Sequence, residues 1–77
     1  MNNWINDTIK INFEIPKGLD ETISMLEKYN RENEMGLYFS WTDVLDVQCK
    51  NLCGCGKLTE YQWDLLNERY NSDYETD

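Results

Sequence analysis

A chain of 77 residues has room for one small domain and no second. Fifteen acidic residues against seven basic ones give a net charge of −8, which excludes a simple nucleic-acid binder and disfavours attachment to anionic membranes. Aromatic residues make up 13% of the chain, far from the composition of a disordered acidic segment, so a folded core is expected.

The opening residues carry no basic segment and no apolar run, so no signal peptide is expected. No stretch approaches the roughly 20 apolar residues of a membrane span. A cytoplasmic location is the expectation. Residues 8–15 alternate Ile9, Ile11, Phe13 and Ile15 with Thr8, Lys10, Asn12 and Glu14. That period of two predicts a half-buried strand, ended by Pro16 and Gly18.

The period then changes. Leu19, Ile23, Leu26 and Tyr29 form a helical stripe, so a helix is predicted over 20–31, with Asp20 as its cap. Asn30 to Gly36 reads as its exit and a loop. Residues 36–39 are short and apolar and are predicted to be a second strand returning beside the first. The other option is that two copies pair their strands.

Ser40 reads as the cap of a helix over 41–52, with Asp43 three residues on and Phe39 and Val44 as a hydrophobic staple. Trp41, Val44, Leu45, Gln48 and Leu52 would share its inner face. Asp46 and Lys50 stand in the favourable i,i+4 order. Residues 53–57, with Gly54 and Gly56, suit a tight turn. Thr59 and Gln62 then form a full capping box for a helix over 60–70, with Leu58 and Trp63 as its staple. Residues 71–77 read as a frayed acidic tail.

The predicted fold is thus α+β, one small domain over 1–77 in the order β-α-β-α-α, with a two-stranded sheet covered by helices and a helical hairpin at the end. Its core would be Ile9, Ile11, Phe13, Ile15, Ile23, Leu26, Leu37, Phe39, Trp41, Leu45, Leu52, Trp63 and Leu66.

Three groups of residues could carry chemistry or binding. Cys49, Cys53 and Cys55 are an odd number of thiols in a chain without His. A structural zinc site wants four ligands, usually in pairs, so the thiols read first as reduced and metal-free, and no cofactor is expected. A small domain stabilised by metal on these three cysteines is the alternative. The helices over 41–70 have the outline of a helix–turn–helix, but Glu60, Asp64 and Glu68 on the second helix would repel phosphates. An acidic transcription accessory that contacts protein is a further alternative.

The acidic residues are the best lead. Glu60, Asp64 and Glu68 recur every four residues on one face, and Asp73 and Glu75 extend the sign. Tyr61 and Tyr74 lie among them, and Trp4 and Tyr70 are likewise unexplained by the stripes. Aromatic residues beside acids are typical anchors of protein interfaces. The expected function is therefore binding, not catalysis: an acidic face docked on a basic protein surface, such as that of a nucleic-acid-binding effector, with no direct contact to nucleic acid or membrane. The chain would act as a monomer or a homodimer. There is no Ala while Asn occurs nine times, a bias of low-GC genomes. In size, charge and this bias the profile resembles the small acidic proteins of phages and mobile elements that inhibit restriction or CRISPR systems. The resemblance implies an inhibitor or adaptor that imitates nucleic acid, and assigns no residue.

Overall fold

The computed structural model describes residues 4–71. Three helices follow one another: α1 (Leu19–Arg31), α2 (Met35–Gly54) and α3 (Glu60–Tyr70). The central α2 packs extensively against α1 and also against α3. Among the described residues there is no strand and no sheet, so the architecture is all-helical and the expected α+β fold is corrected.

The correction turns on residues 32–40. Here Glu32 caps the end of α1, Asn33 takes a left-handed backbone (φ 59°), and α2 begins at Met35. The Glu34 amide donates to the Tyr29 carbonyl and the Asn33 amide to Asn30, the paired bonds of a Schellman turn. The segment expected as a second strand is the first turn and a half of α2. Tyr38, Thr42, Leu45 and Cys49, spaced i, i+4, i+7 and i+11, are its buried face. Gly36 is tolerated inside a helix at a cost of about 1 kcal/mol. Ser40 lies within α2 and is not its cap; its hydroxyl donates to the Gly36 carbonyl. The side of α2 that faces the core is centred on Tyr38, Leu45 and Cys49 and so is rotated from the expected one: Val44 points outward and Leu37 is 47% exposed.

Residues 8–15 have thus lost their strand partner. Ile11, Phe13 and Ile15 still pack against the core, while Thr8, Lys10, Asn12 and Glu14 are exposed. The alternation reports a strap across the helices, not a strand in a sheet. Its near end is clamped. The Trp4 amide donates to the Asn30 side chain at 2.9 Å, and the Asn6 amide donates to the Arg69 carbonyl at 2.7 Å. Trp4 is buried and stacks at a tilt on Tyr38, with centroids 5.2 Å apart. The Tyr38 hydroxyl reaches the Tyr70 carbonyl at 2.6 Å. These aromatics, with Leu19, Leu26, Leu45, Cys49 and Leu66, form the core.

The other turn follows the sequence expectation. The Lys57 amide donates to Leu52 and the Gly56 amide to Cys53, with Gly56 at φ 78°. At the start of α3, the Thr59 hydroxyl accepts from the Gln62 amide and the Gln62 side chain accepts from the Thr59 amide. Residue 20 is not the cap of α1. Gly18 holds that position, and the Asp20 carboxylate accepts from the Gly18 and Glu21 amides.

Candidate functional site

The capping box of α3 fixes where the helix starts, and packing sets which of its sides meets the core. Leu66 and Tyr70 are buried and Trp63 is half-buried, so the helix turns this stripe to the core. Glu60, Asp64 and Glu68 are all exposed, at successive rises of about 6 Å along the axis. Tyr61 borders this row and is 65% exposed. Asp73, Tyr74 and Glu75 lie outside the described residues. Trp4 and Tyr70, which the sequence left open as interface aromatics, belong to the core.

The only base of α3 faces away from the acids. One Arg69 nitrogen (Nη1) donates to the Ile9 carbonyl at 2.8 Å and sits 3.4 Å from the Asn6 carbonyl. The other (Nη2) lies 3.6 Å from the Asp7 carboxylate, the only ion pair among the described residues. The guanidinium also lies over the Tyr70 ring. Arg69 thus ties the strap to α3, and the acidic row has no cation of its own helix beside it.

The three thiols are dispersed in environment. Cys49 is fully buried in α2, Cys53 is half-buried, and Cys55 is exposed in the turn. Burial pushes the Cys49 thiol up to about 12, helped by Cys53 and Asp46. Cys53 is also raised, by desolvation first and then by Glu60 and Asp64. Both stay protonated near neutral pH and are poor nucleophiles. Among the described residues, no three Cys, Asp or Glu side chains converge as a metal site.

A shallow depression of about 200 Å³ lies between the start of α1 and the second half of α2, lined by Lys17, Gly18, Leu19, Gln48, Asn51 and Leu52. Small-molecule sites usually run to about 300 Å³ and more. Gln48 is already engaged, since its side-chain oxygen accepts from the Thr22 hydroxyl at 2.6 Å. No helix is long and apolar enough to cross a membrane among the described residues.

Compared with known proteins, the chain matches no family model, no curated protein and no solved structure.

Two features of the surface were not legible from spacing alone. The inward turn of Arg69 depends on a contact 60 residues away in sequence. The exposed apolar side of α2 depends on where that helix starts. The capping box, by contrast, is a local pattern and names the start of α3 by itself.

Proposed function

We propose that this chain is a non-enzymatic protein-binding module that lays the acidic face of α3 on a basic protein surface. The observation that carries the reading is the direction of Arg69. The one base of the helix is spent on the strap, and Glu60, Asp64 and Glu68 are left as a row with no ion pair among the described residues. Such a row draws a basic partner by steering, and the exposed Tyr61 beside it supplies an aromatic anchor. A groove that normally holds nucleic acid has the charge to receive it, which accords with the inhibitors of phages and mobile elements that this chain resembles in size and charge. Binding, not catalysis, also accords with thiols that stay protonated near neutral pH.

The test is capture from a host lysate by the wild-type chain and by the triple variant Glu60→Lys, Asp64→Lys, Glu68→Lys, at low and high salt. The wild type should retain a basic protein, with association slowed by salt, and the variant should lose it while keeping its helical circular dichroism. If the folded variant holds the same protein with unchanged rates at both ionic strengths, the acidic face is only a solvated surface.

A further inference from the structure

The outer side of α2 is unlike the rest of this strongly charged surface. At helical spacing, Leu37, Ser40, Val44, Val47 and Asn51 form one continuous stripe at i, i+3, i+7, i+10 and i+14. None of them is charged. Leu37, Val44 and Val47 are exposed by 47%, 40% and 57%, in a helix whose other side is already committed to the core. A helix that is apolar on both sides ordinarily has both sides covered. The spacing of the stripe is that of the a and d positions of a two-helix seam.

The charges of α2 decide what covers it. Asp43, Asp46 and Lys50 all fall on one flank of the stripe, while Trp41 and Gln48 fall on the other. A second α2 laid antiparallel across a two-fold axis brings like flank to like flank. With Val44 stacked on the copy's Val47, Asp43 of each chain comes opposite Lys50 of the other, twice over. Parallel packing would set the charged flank against Trp41 and Gln48 and leave Lys50 without an acid across the seam. Among the described residues, no ion pair holds Lys50. The small side chains at 40, 44 and 47, with Gly36 on the same side, let two backbones approach closely.

We infer that the outer face of α2 is a self-association surface, and that two copies of this chain pack α2 on α2 in antiparallel. The inference does not rest on the acidic face of α3.

Sedimentation and multi-angle scattering across a concentration series test it. The wild type should show a monomer–dimer equilibrium. Val44→Glu and Val47→Glu should each weaken the dimer by about tenfold or more and leave circular dichroism unchanged, since Glu is a good helix former at an exposed site. Asp43→Lys alone and Lys50→Asp alone should each weaken it, and the two together should restore it. A wild type that is monomeric at every concentration overturns the inference. So does a dimer that survives the Val44→Glu, Val47→Glu pair. Failure of the double charge exchange to recover the dimer overturns the antiparallel arrangement.

Discussion

The outer faces of α2 and α3 are built in the same way and end up opposite. Each helix commits one stripe to the shared core, Leu45 and Cys49 on α2, Leu66 and Tyr70 on α3. Beyond that stripe, α2 shows Leu37, Val44 and Val47, and α3 shows Glu60, Asp64 and Glu68. The difference is one of what each surface can meet. Uncharged side chains can meet their own copies, whereas a row of carboxylates repels its copies and needs cations. A chain of net charge −8 has little reason to leave apolar side chains together on one helix face unless that face is covered.

The largest effect that sharpens this contrast lies within α2 itself. Leu45→Ala empties a fully buried position and should cost about 2–5 kcal/mol in denaturant unfolding. Val47→Ala, two residues on and mostly exposed, should stay within about 0.5 kcal/mol when measured below the concentration of association. Equal costs would mean that the outward side of α2 is packed within the monomer.

A smaller effect probes how α3 is held. Thr59→Ala removes the hydroxyl that accepts from Gln62 and should cost about 1 kcal/mol. Faster amide exchange should follow at Gln62 and its neighbours, with α1 unaffected. If protection of the first turn is unchanged, the acidic row is fixed by packing and not by its cap.

A different effect, confined to alkaline solution, concerns pH. The Cys49 thiol is held near 12 in the folded chain against an ordinary 9.0, so the folded state keeps a proton that the unfolded state releases. The stabilisation is complete below the ordinary value and declines as pH rises from there towards the folded value. Urea midpoints should therefore fall on the alkaline side of pH 9, and Cys49→Ala should flatten that fall. An unchanged slope in the variant would assign the decline to other groups, Tyr70 first among them, because burial raises its hydroxyl too.

How much of this was readable in advance depends on the range of the interactions. Thr59 and Gln62 name a helix start within four residues, and Gly56 names a left-handed turn, so α3 and the turn before it were legible. The turn after α1 has the same hydrogen bonds, but Asn33 supplies the left-handed residue, and Asn occurs throughout this chain without turning it. Gly36 lay nearby and drew the break to itself. A helix start placed after Gly36 makes a strand of residues 36–39 and gives residues 8–15 a partner they do not have. The alternation over 8–15 was real; it reports one side lying on apolar helices, which a strap satisfies as well as a sheet. The acids of α3 were visible as a row, but that Arg69 faces away from them follows only from the position of Asn6, Asp7 and Ile9.

That strap makes the longest-range closure described for the fold. Each link between consecutive helices spans a few residues, and closing it costs little chain entropy, whereas the bond from the Asn6 amide to the Arg69 carbonyl joins residues 63 apart. The helices can find one another first, and the strap then closes over Tyr38 and the end of α3 like the last stave of a cask. Residues 4–9 are in that sense a latch, and Trp4 within them covers Tyr38 at the aromatic heart of the protein.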